Sequence, residues 1–393
     1  MKRLPSAVAL VALFCAVPAA AVLVPEARKV VCYWNSWAFY RTGKGKSTPQ
    51  RLDTTPCTHM VYNIVGIRGA EVVLSDPWND LSDNGGNGNL RRFTNLKNKK
   101  SQLKVLAAVG GQSLGSAPFS RMARSETHRK SFAESGVSFC KRYRLNGLVL
   151  NWNYPGGGGG RPEDKENFVE LLKEMKAAFE KANLSLGVDL SVAREIVAGG
   201  YNLPEISKNV HFMTVNAFDY WGTWSGRTGP VAPLHGLSDT EYTTPSVEHS
   251  VKSYLNAGVE PSKMVLAITT LARSWTLEDT QNTGYGTFTD EPGTAGPYTK
   301  TAGALGYNEL CESLKTKLWT VSFDKGLQAP YAVNLTNWVS YEDAQSAKEK
   351  AAFAKELKLG GIAIVTLDTD DFSGNCGAAF PILHSASREY LST

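Results

Sequence analysis

Eight apolar runs of strand length, separated by helical segments, constrain this 393-residue chain more than any other feature. They are VVCYW at 30–34, HMVYNIV at 59–65, KVLAAVG at 104–110, LNGLVLNW at 145–152, LSLGVDLSV at 184–192, VHFMTVNAF at 210–218, MVLAITTL at 264–271 and GGIAIVTLD at 360–368. Between them, EDKENFVELLKEMKAAFEK at 163–181 and YEDAQSAKEKAAFAKEL at 341–357 repeat apolar residues at helical spacing. This alternation predicts a parallel α/β fold. Residues from about 274 to 337 interrupt it with Gly/Thr-rich and aromatic segments such as TGYGTFTDEPGTAGPYTK.

The fourth run, extended to LNGLVLNWNYPG, carries the functional argument. Trp152 and Tyr154 lengthen a β-favouring stretch that Pro155-Gly156 stops. Alternation puts Val149, Asn151 and Asn153 on one face and Leu148, Leu150 and Trp152 on the other. Two carboxamides therefore line one side near the C-terminal end of a buried strand.

These residues resemble the fourth barrel strand of glycoside hydrolase family 18, the chitinases and chitinase-like lectins, which carries D-G-x-D-x-D-x-E followed by Y-P. The glycine, tryptophan, tyrosine and proline are present, and the four acidic positions fall at Asn146, Val149, Asn151 and Asn153. The resemblance implies a (β/α)8 TIM barrel over residues 22–393, with the 274–337 region as a small α+β insertion between strand 7 and its helix. In that family the final glutamate protonates the glycosidic oxygen and the preceding aspartate orients the substrate's N-acetyl group. Asn153 has no such proton, and a positioned general acid is worth about 10²–10⁴-fold. These substitutions lead to the expectation of a catalytically degenerate member that is not an enzyme.

Other positions point the same way. The family's sixth-strand M-x-Y-D is read at Met213 to Asn216, which puts Val215 and Asn216 in place of tyrosine and aspartate. The eighth-strand tryptophan falls at Val365 and the tryptophan after Gly110-Gly111 at Gln112, while Ile64 and Leu271 replace usual aromatics. Tyr33, Trp37, Trp221 and Trp224 remain as aromatic candidates for stacking on a sugar, with core packing as the alternative, above all for Tyr33. The resemblance implies that Trp37 matches a cleft tryptophan of the family, and Trp221 and Trp224 fall in a Gly/Ser/Thr-rich loop at the functional end of a barrel.

Lys2 and Arg3, an apolar run from Ala7 to Val17 and Ala19-Ala20-Ala21 read as a signal peptide over 1–21, so the mature protein is expected outside the cell. Its removal lowers the formal net charge from +5 to +3, with no long basic run, which argues against a nucleic-acid partner. Lys97, Lys99, Lys100 and Lys104 read as a solvated surface, with heparin-like polyanions as a minor alternative. No membrane anchor, metal or cofactor is indicated: the histidines are scattered and no cysteine pair has zinc spacing. Cys15 leaves with the leader, so five of the six cysteines remain. The family resemblance implies disulfides Cys32–Cys57 and Cys311–Cys376, leaving Cys140 as a buried free thiol.

The glycine run 156–160 predicts a mobile rim. Asn183-Leu184-Ser185 and Asn334-Leu335-Thr336 are N-glycosylation sequons. Candidate replacement acids are Asp219, Glu163, Asp164, Asp368, Asp370 and Asp371, of which Glu163 and Asp164 read as helix N-terminal charge. Three function classes follow: a secreted monomer binding chitin or related N-acetylglucosamine glycans without cleaving them; a barrel turned to contact with a protein receptor, growth-factor-like or inhibitory; and a residual glycosidase.

Overall fold

The computed structural model describes residues 28–236 and 245–393. The signal-peptide reading over 1–21 lies outside the described residues. Eight parallel strands close into a barrel: β1 (Lys29–Asn35), β2 (His59–Arg68), β3 (Lys104–Gly110), β4 (Gly147–Asn151), β5 (Ser185–Ser191), β6 (Phe212–Asn216), β7 (Met264–Thr269) and β8 (Gly361–Val365). β1 hydrogen-bonds to both β2 and β8, so neither edge is left open.

Several apolar runs are longer than the strands they form. The run at 360–368 leaves the ladder after Val365, because the N–H and C=O of Thr366 bond the Thr270 hydroxyl instead of a neighbouring strand. The 210–218 run likewise stops at Asn216, where the chain turns into a loop.

Strand alternation splits the core in two. Val31, Tyr33, Val61, Leu106, Ala108, Val149, Phe212, Val265, Ala267 and Ala363 fill the barrel. Their sequence neighbours, including Leu148, Leu150, Trp152 and Val215, pack outward against the helices. Those helices include α1 (Glu126–Tyr143), α2 (Asp164–Lys181), α3 (Arg194–Gly200), α4 (Val247–Asn256), α5 (Ala344–Glu356) and α6 (Pro381–Leu391). α2 shows why such segments are helical: Phe168, Val169, Leu171, Leu172, Met175 and Phe179 recur at three and four and are all buried.

The insertion starts immediately after β7. Strands Leu271–Thr276, Ala304–Gly306, Thr320–Asp324, Ala329–Asn334 and Asn337–Ser340 form an antiparallel sheet carrying the helix Tyr307–Leu314. It has small cores of its own, one built on Ala272, Leu310 and Val339, the other on Trp275 and Trp338. Cys32 and Cys57, and Cys311 and Cys376, are joined, while Cys140 is free and buried.

Asp164 corrects the picture of an untethered glycine rim. Its buried carboxylate accepts from the N–H groups of Gly156 and Arg161 and from the Ser120 hydroxyl, so the 156–160 loop is tied down from its C-terminal side. The carboxylate holds a loop rather than simply facing a helix N-terminus, because among the described residues no other group bonds those amides.

Candidate functional site

The C-terminal ends of β4, β5 and β6, with α3 and α4 as walls, enclose a cleft of about 1230 Å³. Asn153, Asn216 and Gln112 line it, together with Ser191, Phe218 and Trp224. This is the end of the barrel where loops carry function. Asn151 lies just beneath, half-buried on the inward face of β4.

The expected site residues divide sharply. Asn146 stands at the opposite end of β4, where its Oδ1 accepts the Val105 N–H at 2.9 Å, so its role is to splice strand starts. Val149 is buried inside the barrel. Val215 is corrected: it points outward into the helix-facing core, since alternation leaves Thr214 and Asn216 on the inner face.

The sixth-strand motif is also corrected. A cleft carboxylate is present, three residues beyond the position read from sequence, in Asn216-Ala217-Phe218-Asp219. The chain leaves the ladder after Asn216, and Asp219 takes a left-handed φ of 58° that swings it back over the mouth. Arg273, from the first strand of the insertion, grips it with two parallel bonds, Nε to Oδ1 at 2.8 Å and Nη2 to Oδ2 at 2.6 Å. The guanidinium lies 5.1 Å from the Trp224 ring centre. An acid just past a strand end, followed by a Gly/Trp loop, is the signal that marks this position in the sequence.

Of the aromatic candidates, Trp224 and Trp37 are 62% and 46% exposed. Trp221 packs beside Trp275 and Trp338 in the insertion core, and Tyr33 is only 3% exposed. Trp221 is corrected to a packing residue and Tyr33 takes the core-packing alternative: each is covered by elements remote in sequence. Two exposed aromatics, Tyr40 and Trp78, join Trp37 on neighbouring loops. Asn79 Nδ2 donates to the Ser36 carbonyl, and Tyr40 Oη to Asp76 Oδ2 at 2.7 Å, which locks the β1 and β2 loops together. Trp78 stands between turn-forming residues in SDPWND, a local hint of an exposed ring.

Inside the barrel, the Tyr33 hydroxyl donates to Asp189 Oδ1 at 2.5 Å and lies 2.9 Å from Thr214 Oγ1. Burial pushes the Asp189 carboxyl up to about 7, against the lowering effect of the Tyr33 and Thr214 hydrogen bonds. The other candidate acids are structural. Asp368 pairs with Arg41 at 2.8 Å, and Asp370 accepts the Ile382 and Leu383 N–H groups at the start of α6. Cys311, Asp371 and Cys376 cluster, but the sulfurs are bonded to each other and Asp371 accepts the Asn375 and Cys376 amides.

Residues 29–370 match the family described as Glycosyl hydrolases family 18. The chain is 35% identical to Probable chitinase 10 of Drosophila melanogaster, over 90% of its own length but 16% of that protein. It is 33% identical to the Endochitinase of Manduca sexta, covering 95% of this chain and 70% of that one. The crystal structure of Ostrinia furnacalis Group IV chitinase matches with a TM-score of 0.89 at 35% identity, covering 93% of this chain and all (100%) of that one. Human YKL-39, described as a pseudo-chitinase with retained chitooligosaccharide binding properties, matches with a TM-score of 0.84 at 30% identity, over 93% and 100% of the two chains.

These matches overturn the expectation that the chain is not an enzyme, because relatives similar over nearly its whole length are named chitinases. The expectation rested first on the four fourth-strand positions Asn146, Val149, Asn151 and Asn153, above all the proton donor's at Asn153, and second on Val215 and Asn216 of the sixth strand. Asp219 in the cleft removes that second support.

Proposed function

The chain belongs to glycosyl hydrolases family 18, and from that premise we propose that its cleft binds chitin or related N-acetylglucosamine oligosaccharides. A chitinase domain of Ostrinia furnacalis that this chain is similar to is described in complex with an N-acetylchitooligosaccharide, and the pseudo-chitinase as retaining chitooligosaccharide binding. The observation that carries the reading is the pair of aromatic platforms at the barrel mouth. Trp224 stands braced over Arg273 on the β6 side, and Trp37, Tyr40 and Trp78 are exposed on the β1 and β2 side. The cleft beside Trp224 is lined by the side chains of Asn153, Asn216 and Gln112, which offer both donors and acceptors to hydroxyl and acetamido groups.

Isothermal titration with tetra-N-acetylchitotetraose tests the proposal. Trp37→Ala and Trp224→Ala are each expected to weaken binding by about tenfold, the scale for an aromatic anchor. No retention of the unmutated protein on chitin, and no heat with the tetramer, defeats the reading.

The same proposal places the protein outside the cell, supported by the charged and apolar leader pattern over 1–21 and by two disulfides. Asn183, exposed on a turn, is the better-presented of the two glycosylation sequons. The N-terminus and the glycosidase-sensitive mass of protein recovered from culture medium test both points.

A further inference from the structure

Cations gather where the barrel strands begin, at the end of the molecule opposite the cleft. Between Asp83 and Glu126 the sequence has eight Lys and Arg residues and no Asp or Glu. Backbone bonds fold part of this stretch against the starts of β2, β3 and β4. The Lys100 N–H bonds the Lys97 carbonyl, the Leu103 N–H bonds the Lys100 carbonyl, and Lys104 opens β3 opposite His59. The Asn146 N–H bonds the Val105 carbonyl at 2.7 Å, which brings the chain just past the C-terminus of α1 alongside the start of β3.

Two lysines fasten this surface. Lys97 Nζ donates to the Arg144 carbonyl, and Lys100 Nζ donates to the Thr55 and Cys57 carbonyls at 2.9 and 2.8 Å. Both ammonium groups meet neutral oxygens, so neither charge is cancelled. Lys99, Lys104, Lys141, Arg142 and Arg144 are exposed around them. Among the described residues none of these cations is in an ion pair, whereas Lys130, Lys173 and Lys252 on the outer helices each pair with a glutamate three or four residues away. Asp53, the one acid of the loop between β1 and β2, lies 3.1 Å from His384 instead. The crowding is felt locally. Burial and then the charges of Lys104 and Lys29 push the His59 imidazole down to about 3, and burial and then Arg144 lower Lys97.

A surface of one sign with no acid to neutralise it concentrates anions. Lysine ammonium groups on flexible stems act as point charges and suit a chain of spaced, permanently ionised groups. Among the described residues, none of the large apolar side chains that are exposed falls in 97–104 or 141–146. The patch therefore offers nothing to insert into a bilayer or to stack on nucleic-acid bases. The Cys32–Cys57 disulfide, beside Lys100, suits an oxidising extracellular setting, where sulfated polysaccharides are the abundant polyanions.

We propose that this face of the barrel binds a linear sulfated polysaccharide. Lys99, Lys104 and Arg144, with Lys141 and Arg142 beside them, meet its sulfate groups, while Lys97 and Lys100 hold the backbone beneath. A chain bound here leaves the cleft open at the other end of the strands, so the inference is independent of what the cleft binds.

The test is titration calorimetry with heparin as the sulfated probe, against hyaluronan, which carries carboxylates without sulfate, duplex DNA and phosphatidylserine vesicles. Heparin is expected to bind at least about tenfold more tightly than the others, with an affinity that falls at least about tenfold between about 50 and 200 mM salt. The triple variant Lys99→Gln, Lys104→Gln, Arg144→Gln should weaken heparin binding at least about tenfold, a few-fold for each charge removed. A matched variant, Lys130→Gln, Lys173→Gln, Lys252→Gln, removes the same charge from the outer helices and should stay within about threefold of the unmutated protein. All six positions are exposed, and melting temperatures check that both variants fold. Absence of heparin binding at about 100 mM salt overturns the proposal, as does binding of hyaluronan, DNA or vesicles as tight as that of heparin. Unchanged affinity in the first triple variant, or equal losses in the two, overturns it as well.

Discussion

Asp219 and Arg273 are joined by a two-pronged ion pair across 54 residues of sequence, and it fastens the insertion to the loop that follows β6. Each partner is partly exposed, at 32% and 19%, so the pair lies between the surface and buried regimes. Arg273→Met, which keeps the length of the stem, is expected to cost about 1–2 kcal/mol in urea unfolding. A double-mutant cycle with Asp219→Asn should show coupling of similar size. Strict additivity of the two single changes would remove the pair from the account of the fold.

Trp224 owes its place to a glycine. A Cβ at Gly222 would lie 2.2 Å from the Trp224 ring, closer than real side-chain contacts come. Gly222→Ala should displace the ring and weaken chitotetraose binding about as much as Trp224→Ala does, with an unchanged far-ultraviolet spectrum. Unchanged affinity would separate Trp224 from the ligand.

Burial pushes the carboxyls of Asp189, Asp80 and Asp370 up to about 7. Between pH 4 and 7 the native state keeps protons that the unfolded chain has released. Stability from these groups is therefore full in acid and is lost as pH rises through about 7. The melting temperature should be lower at pH 8 than at pH 5, and Asp189→Asn should shrink that difference. A variant with the same pH profile as the unmutated protein would contradict the assignment.

Lys350 on α5 pairs with Glu342 at 2.9 Å, both side chains 1% exposed, and Ser346 donates to the same carboxylate. Lys350→Met alone leaves a buried carboxylate unpaired and is expected to cost about 3–5 kcal/mol. Glu342→Leu with Lys350→Met should cost much less than either single change. Chemical denaturation of the three variants decides it.

Cys140 sits buried on α1, and burial pushes its thiol up to about 12. Little thiolate is present at neutral pH, so native protein should resist a disulfide reagent at pH 8 and react on unfolding in guanidinium. Rapid labelling of the native state would show that α1 opens from the barrel.

Much of the architecture is local enough to read from the chain. The alternation of Val149, Asn151 and Asn153 with Leu148, Leu150 and Trp152 depends only on strand geometry, and the structure keeps it. The sixth-strand aspartate is misplaced because the family motif is set on Met213, inside the strand, whereas the cleft acid stands beyond the strand's end at Asn216, on the left-handed turn at Asp219.

By itself the sequence determined the parallel α/β order, the inner and outer faces of the strands and the family, because those follow from periodicities of two and 3.6 and from short motifs. Tertiary structure alone decided which residues meet. Tyr33 reaches Asp189 across 156 positions and Arg273 reaches Asp219 across 54. Trp221 is covered by the insertion while Trp224, three residues on, is left open to solvent. Burial depends on what distant segments bring to a side chain, and no local pattern carries that information.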